Sequence, residues 1–197
     1  MSTMTSRITA FFVTKNRGKF REAYRILSKY NINLKQLPEE KLEIQSDSLE
    51  DVVLYSIKEL VKKHPKKILV VEDAGLFIEA LNGFPGPFSS YVYKTIGLKG
   101  ILKLLEDKPT RRAYFKSVVA FHAPGMGPRI FTGLVYGYIS YEIRGSGGFG
   151  YDPIFIPEGS DRTFAEMSTE EKNAFSHRGK AFKAFAEWFV QSFSSRA

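Results

Sequence analysis

The chain has 197 residues, which is enough for one domain with a sizeable buried core. It has no cysteine, which excludes disulfide bonds and thiolate chemistry, and its apolar and charged fractions are those of a globular protein. The net charge of +8 suits an anionic partner such as a nucleotide, a nucleic acid or a membrane surface.

The cations are scattered along the chain, which is typical of a solvated surface and argues against a nucleic-acid patch. Residues 1–7 are polar and lack the apolar centre of a signal peptide. No apolar run approaches the roughly 20 residues that a membrane-spanning helix needs. We therefore expect a cytoplasmic protein with no membrane partner.

The first predicted elements are a buried strand over residues 8–13 and an amphipathic helix over residues 18–30. The junction between them reads Thr14-Lys15-Asn16-Arg17-Gly18-Lys19. Free N–H groups at a helix start, together with the helix dipole, favour an anion. The junction is therefore a candidate polyphosphate site, although it lacks the spaced glycines and the Lys-Ser/Thr pair of a Walker A loop.

A second predicted strand covers residues 33–37, and a helix opened by Ser48 covers residues 48–63. The next strand covers residues 67–71 and is expected to end at Glu72-Asp73. If it is a parallel neighbour of the first strand, these carboxylates and the basic junction lie on the same rim of the sheet. Carboxylates there could bind Mg²⁺ or activate water, and Glu43, in an acidic connecting segment, could complete the site.

The second half of the chain predicts a rigid turn at residues 83–87, short helices at 89–95 and 99–105, and a hairpin of strands at 113–122 and 129–140. A glycine-rich loop at residues 145–150 and a helix at 176–193 with an aromatic core stripe follow. We predict a single α/β domain over residues 1–197. Its mixed β-sheet is flanked by helices, and two lobes surround a central cleft.

The three histidines, His64, His122 and His177, do not form a multi-histidine metal motif. His177 follows Ser176, the predicted N-cap of the last helix, so His177 and Arg178 fall in its first turn. A cation is unfavourable at that end of a helix, and this placement points to function. No Ser-His-Asp or Cys-His pattern supports covalent catalysis.

The short motifs of the chain, in order, are Thr14-Lys15-Asn16-Arg17-Gly18-Lys19, Glu43-Ile44-Gln45, Val71-Glu72-Asp73-Ala74-Gly75-Leu76, Gly83-Phe84-Pro85-Gly86-Pro87, Gly148-Phe149-Gly150-Tyr151-Asp152-Pro153, Ala165-Glu166-Met167, Glu171-Lys172-Asn173 and Ser176-His177-Arg178. Taken together, these motifs resemble those of the inosine triphosphate pyrophosphatase family and keep that family's order along the chain.

The resemblance implies an elongated mixed sheet, a homodimer, and Mg²⁺-dependent hydrolysis of ITP, dITP or XTP to the monophosphate and pyrophosphate. It implies that Asp73 is the general base and a metal ligand, and that Glu43 is the second metal carboxylate. Phosphate contacts are implied for Thr14, Asn16, Lys19 and Lys172. Base and nucleoside contacts are implied for Phe149, Asp152, His177 and Arg178, with Ala74, Gly150 and Tyr151 completing the substrate site.

One departure from the family pattern lies at Ser89-Ser90, where many members carry a basic residue; Lys94 could take its place. Two other functions stay open at this point. The first is a pyrophosphatase of pyrimidine or modified nucleotides. The second is a basic module that binds single-stranded nucleic acid by stacking bases on aromatic side chains.

Overall fold

The structure, a computed structural model, describes residues 8–194, so the polar segment 1–7 lies outside the described residues. The strands are β1 (Thr9–Val13), β2 (Asn33–Leu37), β3 (Leu69–Ile78), β4 (Pro85–Gly86), β5 (Arg112–His122), β6 (Arg129–Ile139) and β7 (Phe155–Pro157). The helices are α1 (Arg17–Leu27), α2 (Leu49–Lys63), α3 (Ser89–Thr95), α4 (Gly97–Leu104), α5 (Thr169–Phe175) and α6 (His177–Ser194).

The strands form one mixed sheet in the order β2-β1-β3-β5-β6-β7, with β4 also paired to β3. Strands β2, β1 and β3 are parallel, whereas β5, β6, β7 and β4 pair antiparallel. The parallel half follows from its helical crossovers, and the antiparallel half follows from the long β5–β6 hairpin.

Helices cover both faces of the sheet because successive side chains of a strand point to opposite sides. On one face, Phe12 and Phe121 pack with Phe182 and Phe185 of α6. On the other face, the core is built from apolar residues of α2, β3 and β5. Each fully buried phenylalanine contributes about 1.5–3 kcal/mol from burial, so the aromatic stripe of α6 is a main anchor of the fold.

A glycine on β6 lets α6 approach the sheet closely. A Cβ placed at Gly133 would lie 2.0 Å from the carbonyl oxygen of His177, so a larger residue would force the helix away. The helix therefore begins directly against the β5–β6 hairpin, which holds His177 and Arg178 beside the centre of the sheet.

Most predicted elements are confirmed, including β2, α3, the β5–β6 hairpin and the parallel pairing of β1 with β3. The prediction that a strand ends at Glu72-Asp73 is wrong: β3 continues to Ile78 because β5 pairs with it along its whole length. Predicted boundaries elsewhere differ by a few residues, and β4, β7 and α5 were not predicted. The two lobes and the single domain stay predictions. Within residues 8–194, no helix is both long and apolar enough to cross a membrane.

Candidate active site

The site lies where one edge of β3 changes partner. Strand β1 pairs with β3 at Leu69 and Val70, and β4 pairs with the same strand at Leu76 and Phe77. Glu72, Asp73 and Ala74 lie between these two pairings. A cavity of about 730 Å³ opens at this position, and its lining includes Asp73 and Ala74.

The junction after β1 forms one wall of this cavity. Asn16 is the N-cap of α1, and its Oδ1 accepts a hydrogen bond of 3.0 Å from the backbone N–H of Lys19. Thr14 Oγ1 accepts a bond of 3.1 Å from the N–H of Asn16. These bonds use acceptor atoms of both side chains, so the amide NH₂ of Asn16 and the hydroxyl proton of Thr14 can be offered to an anion.

Lys19 connects this wall to the acidic pair on β3. Its Nζ lies 2.8 Å from Glu72 Oε2 and 3.7 Å from Asp73 Oδ1. The predicted closeness of the basic junction and the acidic pair is therefore confirmed. The ammonium of Lys19 and the carboxylate of Asp73, which come from distant stretches of the chain, line one cavity.

Glu72 belongs to a closed, buried network. Its Oε1 accepts from Ser117 Oγ at 2.8 Å and from Arg178 Nη2 at 3.0 Å. Burial alone would raise the pKa of this carboxyl, but the charges of Arg178 and Lys19 outweigh it and hold the pKa well below its usual range. Glu72 is therefore a structural group that is ionised at neutral pH.

Asp73 has looser surroundings. Burial raises its pKa, and the opposing charges of Lys41 and Lys19 do not fully offset this effect. Lys41 Nζ lies 3.9 Å from Asp73 Oδ1 and forms a close ion pair with Glu43. The cavity thus contains a carboxylate with a raised pKa and two nearby ammonium groups, an arrangement typical of catalytic centres.

Phe149 lines the cavity next to the start of α1. Its ring centroid is 4.7 Å from Lys172 Nζ and 5.3 Å from the guanidinium carbon of Arg178. A Cβ placed at Gly18 would lie 2.5 Å from a ring carbon of Phe149, so the ring packs directly on the start of α1. A flat aromatic ring at this position offers a stacking surface for a base.

Two hydrogen-bond donors fix the carboxylate of Asp152. Its Oδ2 accepts from the N–H of Phe149 at 2.8 Å and from Lys172 Nζ at 2.6 Å. Burial raises the pKa of this carboxyl, against the charge of Lys172. Both bonds end on Oδ2, so Oδ1 can accept a hydrogen bond from a ligand in the cavity.

Glu22 ties the two buried cations together. It accepts from Lys172 Nζ and from Arg178 Nη1, each at 2.7 Å. Burial alone would raise its pKa, but these two charges hold the pKa below its ordinary value. One buried ion network thus borders the cavity, and two of its members, Asp152 and Arg178, also line it. The network consists of Glu22, Glu72, Asp152, Lys172 and Arg178.

His177 lines the cavity in its neutral form. Burial, followed by the charges of Arg178 and Lys172, lowers the pKa of its imidazole well below the ordinary value. The ring stacks on Phe115 with centroids 4.5 Å apart. At His177 the expected conflict between a cation and the helix dipole does not arise, because the ring carries no charge at neutral pH. The neighbouring Arg178 is charged, and Glu22 and Glu72 offset its charge. Ser176 Oγ caps the first turn by accepting from the N–H of Gly179 at 2.9 Å.

The cavity brings together nearly all the predicted site residues. Its lining includes Thr14, Asn16, Lys19, Glu43, Asp73, Ala74, Phe149, Gly150, Tyr151, Asp152, His177 and Arg178. Lys172 does not belong to this lining; its ammonium lies behind Phe149, between Glu22 and Asp152. Its phosphate contact stays a prediction.

Sequence reasoning missed Glu22, Lys41 and Ser117. Glu22 had a readable signal because it falls on the apolar stripe of α1, four residues before the buried Ile26. A carboxylate in such a stripe needs a buried counter-ion. Lys41 and Ser117 had no such signal.

The donor set around Asp73 fits a divalent ion. Glu43 and Asp73 both lie beside one cation, the ammonium of Lys41, so the space between them favours positive charge. No group of three or more His, Cys, Asp or Glu side chains arranged to hold a metal occurs in residues 8–194. Mg²⁺ commonly takes only one or two carboxylates and completes its shell with water and substrate phosphates, so this pair is sufficient.

The model of the Ham1 family matches residues 10–188, nearly the whole described chain. The chain belongs to the Ham1 family. The resemblance inferred from the motifs is thereby confirmed at the level of the family.

Individual family members match over almost their full length. The chain is 58% identical over 178 residues to a protein of Pyrococcus horikoshii named dITP/XTP pyrophosphatase, covering 90% of this chain and 95% of that protein. A Hyperthermus butylicus protein of the same name is 53% identical over 180 residues, covering 90% of this chain and 93% of that one. The solved structure of a Ham1 protein from Coxiella burnetii superposes with a TM-score of 0.81 at 29% identity, covering 93% of this chain and 99% of that one.

Proposed function

We propose that this protein hydrolyses ITP, dITP and XTP to the nucleoside monophosphate and pyrophosphate with Mg²⁺, as a cytoplasmic homodimer. The observation that carries the proposal is the meeting of Lys19 and Asp73, 3.7 Å apart, in a cavity that also presents Phe149. The relatives named dITP/XTP pyrophosphatase support the same reaction.

The junction after β1 would hold the triphosphate. Thr14 and Asn16 offer donors, Lys19 offers charge, and the first turn of α1 offers backbone N–H groups and its dipole. Phosphoryl transfer depends mainly on such positioning and charge neutralisation.

Asp73 would accept the proton of the attacking water. Its burial raises the pKa, which makes the carboxylate a better proton acceptor than an exposed aspartate. Glu43 and Asp73 would hold the metal ion, which neutralises phosphate charge when bound.

The base end of the cavity favours hypoxanthine and xanthine. Both carry an N1–H donor, which Asp152 Oδ1 could accept, whereas adenine has an acceptor at N1. Adenine would face a carboxylate with no proton to share, at a cost of about 1–3 kcal/mol. Phe149 would stack on the base without regard to its identity.

The departure at Ser89-Ser90 is compensated within the same helix. Ser89 Oγ is occupied, since it accepts from the N–H of Leu76 at 2.8 Å and donates to the carbonyl of Gly86 at 2.7 Å. Lys94, near the end of α3, lines the cavity and supplies the missing positive charge.

The homodimer draws support from the sheet. On the sheet formed by β3, β5 and β6, Tyr114 stacks on Phe77 and also contacts Tyr136, which is 54% exposed. Exposed aromatic patches of this kind mark association surfaces. Light scattering of the purified protein tests this part of the proposal; a monomeric mass would contradict it.

A nucleotide panel with separate detection of pyrophosphate and orthophosphate tests the reaction. ITP, dITP and XTP should release pyrophosphate in a Mg²⁺-dependent reaction, and ATP should be hydrolysed much more slowly. Orthophosphate as the first product would contradict the proposal. Faster turnover of pyrimidine or modified nucleotides would favour that alternative, and salt-sensitive binding of single strands without Mg²⁺ would favour a nucleic-acid module.

A further inference from the structure

Lys41 is a buried cation with an incomplete set of partners. It lies in the segment between β2 and α2, two residues before Glu43. Its side chain is 13% exposed, and its nitrogen is shut off from solvent. Within residues 8–194, Glu43 and Asp73 are the only acidic groups within 4 Å of this nitrogen.

The buried network provides a contrast. Lys172 Nζ lies 2.7 Å from Glu22 and 2.6 Å from Asp152, so two carboxylates hold it at hydrogen-bond distance. Lys41 has one close carboxylate, and Asp73 at 3.9 Å is beyond hydrogen-bond distance. Since an ammonium has three donors, Lys41 has capacity for a further anionic acceptor in the cavity.

We propose that Lys41 is a tethered counter-cation that neutralises Glu43 and Asp73 until metal and nucleotide bind, and then turns towards the triphosphate. This inference rests on the proposed metal position between those two carboxylates. Lys41 acts as a positioning residue. In the free protein it reduces the repulsion between the two carboxylates, and it releases their oxygens when the metal binds.

The exchange couples the two ligands. A metal that arrives alone must displace the ammonium from Glu43 and leave it without a partner, so it binds weakly. A nucleotide supplies phosphate oxygens for the displaced ammonium, so metal and nucleotide each strengthen the binding of the other. Free protein is thereby kept from accumulating metal in the absence of substrate.

The test is Mn²⁺ binding without nucleotide, measured by electron paramagnetic resonance on the wild-type protein and on Lys41→Met. Removal of the ammonium should tighten Mn²⁺ binding about tenfold, the equivalent of one hydrogen bond to a charged group. Lys41→Arg keeps the cation and should stay close to the wild type. Thermal melts establish that each variant is folded.

Lys15→Met is the matched control. Lys15 lines the same cavity, but its partner is the exposed Glu40, so this variant removes the same charge without touching Glu43 or Asp73. Its Mn²⁺ affinity should change far less. An equal gain in Mn²⁺ affinity in Lys15→Met and Lys41→Met would overturn the proposal, because the loss of any positive charge from the cavity would then explain the gain.

A second measurement repeats the titration with a non-hydrolysable ITP analogue. The factor by which the analogue strengthens Mn²⁺ binding should be smaller in Lys41→Met than in the wild type. Unchanged or weaker Mn²⁺ binding by Lys41→Met without nucleotide would overturn the role of Lys41 even if the wild type releases pyrophosphate. A wild type without Mg²⁺-dependent pyrophosphate release would instead overturn the proposed reaction, and tighter Mn²⁺ binding by Lys41→Met would still support the exchange.

Discussion

Two adjacent carboxylates on β3 have opposite surroundings. Glu72 is fixed by Ser117, Lys19 and Arg178 at distances of 2.8–3.0 Å. Asp73 faces the cavity, and the two ammonium groups nearest to it are 3.7 and 3.9 Å away. One side of the strand is closed by hydrogen bonds, and the other is left open to a ligand.

The contrast shows how one strand can carry a structural carboxylate next to one that is available for catalysis. The pKa of Glu72 is lowered because fixed cations outweigh its burial, while the pKa of Asp73 is raised because burial outweighs looser cations. Environments that move the pKa values of neighbouring groups apart commonly assign them different roles. Here Glu72 would orient Lys19 and Arg178, and Asp73 would exchange the proton.

The largest expected effect is the loss of catalytic rate on substitution of Asp73, the carboxylate that faces the cavity. Asp73→Asn should lower kcat about 10²- to 10⁴-fold, the usual contribution of a general base, while nucleotide binding survives. Pyrophosphate release measures the first quantity, and calorimetry with an ITP analogue measures the second. A variant that keeps a near-normal rate would remove Asp73 from its proposed role.

Substitutions in the hydrogen-bonded network around Glu72 should lower the free energy of unfolding. Arg178→Ala leaves Glu22 and Glu72 buried without their shared partner, which should cost about 3–5 kcal/mol of the free energy of unfolding. Urea denaturation measures this loss. Arg162→Ala is the matched control, since its partner Glu171 is exposed, and it should change the midpoint little. Similar midpoints for both variants would show that the buried network contributes no special stability.

The smallest expected effect comes from His177. Its pKa in the folded protein is well below the ordinary 6.5, so below that pH the unfolded chain takes up a proton that the folded protein refuses. Stability should therefore fall as pH falls, by about 1.4 kcal/mol between roughly pH 7.5 and 5.5. His177→Gln should lose that part of the pH dependence in urea titrations at both pH values. Identical losses in the two proteins would mean that His177 is protonated in the folded state.

The sequence predicted the residues that line the cavity better than the buried ion network that borders it. The junction after β1, the acidic pair and the Phe149 loop are short motifs whose chemistry is readable locally. The partners of Arg178 are not local: Glu22 and Glu72 lie 156 and 106 positions away, and only the packing of α1, α6 and β3 brings them together. The extent of β3 was misjudged for a similar reason, since its pairing with β5 extends the strand past two charged residues.

The close approach of α6 to Gly133 also bears on the order in which the enzyme is made. Lys172 and Arg178 lie near the end of the chain, and they are the counter-ions of Glu22, Glu72 and Asp152. While residues beyond 170 are still inside the ribosome, Glu22 and Asp152 have been synthesised without these counter-ions, whereas Glu72 already has Lys19. Chains that are stalled before α6 leaves the ribosome should therefore be cleaved by a protease more readily than chains in which α6 has emerged. The buried ion network can therefore close only after α5 and α6 have joined the sheet.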